Sequence, residues 1–206
     1  MDVNIQLLFP TPVYQTNLRK TFNEEELEFI RDCSKNVKHN RGNIITNGSY
    51  LLDQKPMKKL KEELQLHLEN YYKLVIQTQD KIFPYITQSW INFTEKGQFH
   101  HEHLHANSLV SGVLYFDVDE KDVIKFHKRV PATIFFQNCN YNHLNSTEWN
   151  LAAKKGDLLL FPSSLLHSVP VKETDGFRVS LSFNTFVEGH IGDSNSVVEL
   201  KLPKNL

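Results

Sequence analysis

The chain has few cysteines: Cys33 and Cys139 are the only two among its 206 residues. Two cysteines so far apart exclude a disulfide framework and a cysteine-based zinc motif, and they are typical of a reducing compartment. No apolar run approaches the ~20 residues of a membrane span. The N-terminal sequence MDVNIQLLF also lacks the positively charged region of a secretion signal. Together these features predict a cytoplasmic protein with no membrane partner.

An excess of charge and the common nucleotide-binding motifs are also missing. The 23 basic and 24 acidic residues give a net charge of -1, so no basic field attracts nucleic acid. The sequence contains neither a glycine-rich phosphate loop nor a G-x-S-x-G nucleophile motif. Ser163 and Ser164 precede His167 too closely to form a hydrolytic triad with it. We therefore expect no nucleic-acid partner and no serine-hydrolase chemistry.

The domain organisation follows from a third absence. No repeat, low-complexity tract or linker rich in proline, glycine and serine divides the sequence, which predicts a single domain over residues 1–206. Residues 1–80 are expected to form a helical support, and residues 81–206 a β-barrel core.

Two helices and a series of short strands are predicted. Asn23 can cap the first helix, with Glu26 completing a capping box, and the second helix is expected to begin near Pro56. After Pro84 the pattern changes to short runs rich in β-forming residues. These runs are ITQSWINF, LVSGVLYFDV, VIKFH, ATIFF, GDLLLF, LLHSVPV and FRVSLSFNTFV. Seven such strands indicate a mainly β fold, an antiparallel barrel or sandwich braced by helices.

A histidine cluster, GQFHHEHLH, precedes the second of these runs. Residues two apart in a strand share a face, so His101, His103 and His105 are expected to project together. His100 and Glu102 then project to the opposite side. Two or three neutral imidazoles, usually with one carboxylate, are the ligands that a non-haem iron(II) oxygenase needs. A further ligand usually comes from a distant strand, and His167, between two apolar runs, is suitably placed to supply it.

The last predicted strand carries an arginine in an alternating pattern. In FRVSLSFN the apolar residues face one way, whereas Arg178, Ser180, Ser182 and Asn184 face the other. Such a stripe would normally face water. A guanidinium can instead pair with a carboxylate through two hydrogen bonds, to which a serine hydroxyl can add a third. We therefore interpret Arg178 with Ser180 as an anchor for an anionic cosubstrate.

The chain resembles a known family. The segments that carry the resemblance are LFPTPVY, SWINF, GQFHHEHLH, LVSGVLYF, GDLLLFPSSLLHSVPV and FRVSLSFNTF. They are similar to those of the 2-oxoglutarate/Fe(II) oxygenases common in marine bacteria and their phages, and the match covers nearly the whole chain. This family is similar in fold to the prolyl-hydroxylase-like oxygenases. The resemblance therefore implies a double-stranded β-helix, that is, a jelly-roll or cupin-like barrel.

The resemblance also implies a set of functional residues. It assigns His103 and His105 as proximal ligands of Fe(II) and His167 as the distal ligand. It assigns Arg178, with Ser180, to the far carboxylate of 2-oxoglutarate. Three further residues are candidates for cosubstrate binding because they are expected to line the barrel or continue its polar stripe: Asn92, Tyr115 and Asn184. The implied activity is a dioxygenase, most simply a hydroxylase, that uses O2 and an unidentified substrate.

Alternatives remain open for the proximal ligands and for the function. His101 with His103, or His100 with Glu102, satisfies the same spacing, and the second pair includes the usual carboxylate. A cupin-like enzyme could use three histidines without 2-oxoglutarate, and a barrel whose histidines are not assembled could bind a partner without catalysis. The substrate would be selected by loops at the barrel mouth, such as 41–54 and 138–149.

Overall fold

The computed structural model describes residues 1–18, 22–129, 134 and 136–203. In this part of the chain there are two α-helices, α1 (Glu24–Cys33) and α2 (Lys58–Tyr71). The capping box predicted for the first helix is confirmed, because Asn23 accepts a hydrogen bond from the backbone of Glu26 and its own backbone donates to the Glu26 carboxylate. Pro56 lies in a short 3-10 turn, Lys55–Met57, that leads into α2. Neither helix is long and apolar enough to cross a membrane.

The strands form two antiparallel sheets. Those of the larger sheet are β1 (Tyr14–Asn17), β2 (Val37–His39), β3 (Ile44–Thr46), β4 (Ile82–Thr94), β6 (Val110–Asp117), β9 (Asp157–Pro162), β11 (Arg178–Ile191) and β12 (Leu200–Leu202). Those of the smaller sheet are β5 (His100–His103), β7 (Val123–His127), β8 (Glu148–Ala152) and β10 (His167–Val169). The larger sheet has the order β1-β9-β6-β11-β4-β3-β2, with β12 paired to β11, and the smaller has the order β5-β10-β7-β8. The predicted mainly β fold braced by two helices is confirmed.

Residues 1–80 contribute strands as well as helices. β1 pairs with β9 at one edge of the larger sheet, while β2 and β3 extend it beyond β4. These short strands lack the apolar run or clear alternation that would have marked them in the sequence. Three of the five residues of the predicted strand ATIFF lie outside the described residues, and the other two, Ile134 and Phe136, are not in a strand.

The larger sheet is buried on both faces. On β6 and β9, Leu114 and Leu160 belong to the core shared with α2, whereas Val113, Leu159 and Phe161 belong to a second core. This second core also includes Ile124 and Phe126 of β7, so it lies between the two sheets. A strand covered on both sides is apolar along its whole length, which explains why LVSGVLYF and GDLLLF do not alternate.

Gly112 of β6 lies tightly against a neighbouring side chain beside the cavity described below. A Cβ built at this position would lie 2.1 Å from the Phe183 ring, which is fully buried. We expect Gly112→Ala to lower the free energy of unfolding by about 1 to 3 kcal/mol, because the added methyl group forces the buried ring away from its present position. Urea denaturation measures this, with Gly48→Ala as the control, since the nearest atom there is a Leu51 methyl carbon at 3.3 Å. Equal effects in the two variants would contradict the steric argument.

Candidate metal centre and anion pocket

Three histidines from two neighbouring strands converge between the sheets. β5 and β10 are adjacent, with His103 directly opposite His167. His105 follows β5, where its backbone N–H donates to the Ser163 carbonyl at 3.0 Å. One ring nitrogen from each of these three histidines lies within 4.8 Å of the others. The Nε2 atoms of His105 and His167 are 3.3 Å apart, a separation that suits two nitrogens bound to one ion at about 2.1 Å each.

Backbone carbonyls fix the orientation of two of these rings. His103 Nδ1 is 2.7 Å from the His101 carbonyl, and His167 Nδ1 is 2.9 Å from the Leu165 carbonyl. An Nδ1–H that donates to a carbonyl leaves the lone pair of Nε2 free to bind a metal. The arrangement is therefore that of metal-ligating imidazoles rather than of histidines that only fill space.

Burial keeps the cluster neutral. Burial, together with the neighbouring imidazoles, lowers the pKa of His105 to about 4 and that of His167 to about 3. Both side chains are therefore uncharged at neutral pH. An unfolded histidine takes up a proton near pH 6.5, whereas these two buried histidines do so only at a lower pH. Acidification below about pH 6.5 therefore favours the unfolded chain and lowers the free energy of unfolding. Three neutral imidazole nitrogens fit a divalent transition ion.

Arg178 begins β11 and is only 4% exposed. Its Nη2 lies 3.5 Å from Thr94 Oγ1 and its Nη1 lies 3.8 Å from an oxygen of Asp122. Its Nε has no hydrogen-bond partner among the described residues. A buried donor without an acceptor costs about 1 to 3 kcal/mol, so the guanidinium has unused capacity for an anion. Burial lowers its pKa, and Tyr115 and Asp122 oppose that shift.

One cavity joins the histidines to the arginine. It is lined by His103, His105 and His167 at one part of its wall and by Arg178 and Ser180 at another. Other polar or aromatic residues of the wall include Trp90, Asn92, His100, Ser111, Tyr115 and Ser182. Three residues of the polar stripe of β11, Arg178, Ser180 and Ser182, therefore face this cavity and not bulk water. The cavity wall therefore combines three neutral nitrogen ligands with a buried cationic side chain.

Most, but not all, of the candidate residues line the cavity. Asn92 and Tyr115 do, as the sequence predicted. Asn184 is not part of the lining, and its side-chain oxygen instead lies 3.5 Å from the hydroxyl of Ser111. Glu102 points away, 3.4 Å from Nδ1 of His127, with about half of its side chain exposed.

The prediction that His100 faces away from the cavity is wrong. In the pairing between β5 and β10, His103 lies opposite His167 and His100 lies opposite Val169. The two β5 residues are three positions apart in the sequence, whereas their β10 partners are two apart, so β5 contains one extra residue. This bulge breaks the alternation. It turns His100 towards the cavity, where its ring stacks on His103 at 4.2 Å. Burial lowers the pKa of His100 to about 2.

Asp122 and Thr94 were missed at the sequence level. Both are buried, and both approach the Arg178 guanidinium. Asp122 lies in DVDEKD, an acidic stretch that indicates an exposed turn, so composition argued against burial. The only indication of burial in the sequence was that Asp122 directly precedes the largely apolar run VIKF.

Comparison with known proteins adds a family. Residues 88–184 match the family described as "Putative 2OG-Fe(II) oxygenase". The matched segment contains His103, His105, His167 and Arg178. A comparison with curated proteins finds no match.

Solved structures with the same fold are similar over most of this chain. A 2OG-Fe(II) oxygenase family oxidoreductase from Burkholderia pseudomallei has 14% identity and a TM-score of 0.58, covering 84% of this chain and 83% of its own. HygX from Streptomyces hygroscopicus, crystallised with nickel and 2-oxoglutarate, has 14% identity and a TM-score of 0.57, with coverages of 85% and 82%. A prolyl-4-hydroxylase from Pseudomonas putida has 12% identity and a TM-score of 0.52, with coverages of 84% and 92%.

The fold is therefore the double-stranded β-helix of the prolyl-hydroxylase-like oxygenases. With that fold and the matched segment of residues 88–184, the chain is similar to the 2OG-Fe(II) oxygenase family, and structural neighbours were crystallised with iron or with 2-oxoglutarate. The predicted dioxygenase activity is confirmed at this level, which favours it over a three-histidine enzyme without 2-oxoglutarate and over a non-catalytic barrel. The marine or phage origin and the cytoplasmic location stay predictions.

Proposed function

We propose that this oxygenase binds Fe(II) through His103, His105 and His167, binds 2-oxoglutarate through Arg178 and Ser180, and hydroxylates its substrate. The observation that carries the proposal is the shared cavity. Three nitrogen donors within 4.8 Å of one another line it together with a buried guanidinium whose Nε is unpaired. The prolyl-4-hydroxylase among the structural neighbours supports hydroxylation as the outcome.

Charge balance explains how a site without a carboxylate can work. Three neutral imidazoles leave the two positive charges of Fe(II) uncompensated, and Arg178 adds a third at the other part of the cavity. A dicarboxylate such as 2-oxoglutarate carries two negative charges, one for each of these positions. Inside a cavity of low dielectric constant such pairing is stronger than in water. A metal site made of three neutral nitrogen ligands therefore favours an anionic cosubstrate.

The protein supplies orientation and a dry cavity. Bound Fe(II) with 2-oxoglutarate supplies the chemistry that couples oxidative decarboxylation to substrate oxidation by O2. The carbonyls of His101 and Leu165 hold the rings of His103 and His167, so the ligand nitrogens are aimed before a metal binds. Phe161 and other apolar side chains of the inter-sheet core exclude water from the wall around them.

Residues 41–54 are proposed as one substrate-selecting segment. Asn43 within it is buried and donates to Asn92 Oδ1, a cavity residue, at 3.4 Å. The neighbouring Asn40 is 3.4 Å from Nε2 of His100. Tyr50 is exposed and could contact a ligand outside the cavity. The loop 138–149 is proposed as a second such segment.

The purified protein is expected to bind one Fe(II) per chain and to convert 2-oxoglutarate slowly to succinate without a substrate. One Fe(II) is expected because the cavity holds one group of three histidines that includes His167. Binding of 2-oxoglutarate is expected because the Nε of the buried Arg178 guanidinium has no hydrogen-bond partner among the described residues. Iron is measured by elemental analysis after desalting, and succinate by mass spectrometry under air with ascorbate. The control is boiled protein. Succinate no higher than in this control, from protein shown to contain iron, would contradict the proposed activity.

A further inference from the structure

We propose that His100, His101 and His103 form a second metal position, which shares His103 with the first position and therefore competes with it. The ligand would be a divalent transition ion that accepts imidazole nitrogen, such as Zn(II). Excess ion at this position would withdraw His103 from the first position. The proposal goes beyond the assigned activity and does not require it.

The geometry of the second trio is that of a metal site. One ring nitrogen from each of the three residues lies within 4.8 Å of the others. The ring centroids are 4.2 Å apart for His100 and His103, 5.0 Å for His101 and His103, and 5.2 Å for His100 and His101. On a regular strand the consecutive His100 and His101 would point to opposite faces. The bulge in β5 is what gathers all three rings.

The rings of the second trio have weak existing partners. His100 Nε2 meets the Asn40 amide at 3.4 Å, and His101 Nδ1 meets the Arg41 carbonyl at 3.3 Å. Both distances are at the long end for hydrogen bonds. All three side chains are partly exposed, so an ion can reach them from solvent. Imidazole nitrogens suit Zn(II), Ni(II) and Cu(II) better than they suit hard cations.

Competition follows from the nitrogen atoms of His103. Its Nδ1 is 2.7 Å from the His101 carbonyl, which leaves Nε2 as its one free donor. A single nitrogen lone pair binds one ion at a time. When His103 Nε2 binds an ion that His100 and His101 also hold, it can no longer bind an ion together with His105 and His167.

The test removes the first position and retains the second. In the double variant His105→Ala/His167→Ala, calorimetric titration with Zn(II) is expected to show one ion bound per chain. Adding His101→Ala is expected to weaken that binding at least about tenfold. Loss of a residue that only hydrogen-bonds a metal ligand already costs about 10- to 100-fold in affinity, and loss of the ligand itself should cost no less. The matched control adds His190→Ala, an exposed residue of β11, to the same double variant. Equal zinc affinity in the His101 and His190 variants, or no zinc in the double variant, would overturn the proposal.

A second measurement uses otherwise intact chains. Iron-loaded wild type and His101→Gln are incubated with increasing Zn(II) and desalted, and the retained iron is counted by elemental analysis. The wild type is expected to lose half of its iron at a zinc concentration several-fold lower than the His101→Gln variant needs. The same midpoint in both proteins would show that the second position does not compete. Failure of the wild type to bind iron at all would instead contradict the proposed function, so the two outcomes are distinguishable.

Discussion

Arg178→Leu is expected to weaken 2-oxoglutarate binding by about 2 to 4 kcal/mol while Fe(II) stays bound, on the scale of breaking a buried charge pair. The guanidinium is 4% exposed, and its Nε has no partner among the described residues. A carboxylate that pairs with it gives up its hydration in exchange for these donors, and leucine offers none. The metal is expected to stay bound because backbone carbonyls, and not the arginine, hold the rings of His103 and His167.

Calorimetry on protein loaded with iron under anaerobic conditions measures this loss. The matched control is Arg31→Leu, which removes an exposed arginine of α1 that pairs with Glu24. Loss of Arg178 does not leave Asp122 without a cation, because the buried Lys172 lies 3.6 Å from it. A changed cosubstrate affinity therefore reports on the anion pocket. An affinity equal to that of the wild type would remove Arg178 from the assignment.

Local rules accounted for the helices and for the main strands. The cap at Asn23 could be predicted because its hydrogen bonds join residues three apart, and the sequence contains both partners. The strands β6, β9 and β11 could be predicted because each is long and rich in β-forming apolar residues. The short strands β1, β2 and β3 could not, since β1 pairs with the distant β9, β3 pairs with the distant β4, and β2 joins the sheet only through β3.

In the functional site, too, the sequence predicted some side-chain positions correctly and others wrongly. Alternation correctly placed Arg178 and Ser180 on one face of β11, because that ladder is regular over those residues on the β4 side. Alternation failed at His100, where one extra residue in β5 shifts the register. A bulge adds one residue without a required sequence signature, and a shift of one residue moves every following side chain to the other face. Only the pairing with β10 reveals it.

His103→Ala and His105→Ala are each expected to abolish stoichiometric Fe(II) binding, whereas Glu102→Ala is expected to retain it. Removal of either histidine leaves two imidazoles at the proposed centre. His105→Ala also leaves the trio of His100, His101 and His103, but Fe(II) binds a given set of nitrogen ligands more weakly than Zn(II) does, so this trio is not expected to retain iron through dialysis. Glu102 instead faces His127, 3.4 Å away on the outer side of the smaller sheet, and its side chain is about half exposed. Its carboxylate is therefore separated from the cavity by the sheet itself.

Anaerobic equilibrium dialysis with Fe(II), followed by elemental analysis, measures the stoichiometry in each variant. Glu102→Ala serves as the matched control for both histidine variants, because Glu102 lies directly beside His103 in the sequence and its side chain is not part of the cavity wall. Thermal unfolding of the metal-free proteins checks that each variant is folded. The opposite pattern, in which Glu102→Ala loses the metal and His105→Ala retains it, would mean that the iron binds through a carboxylate and that β5 adopts a different register in the metal-bound protein.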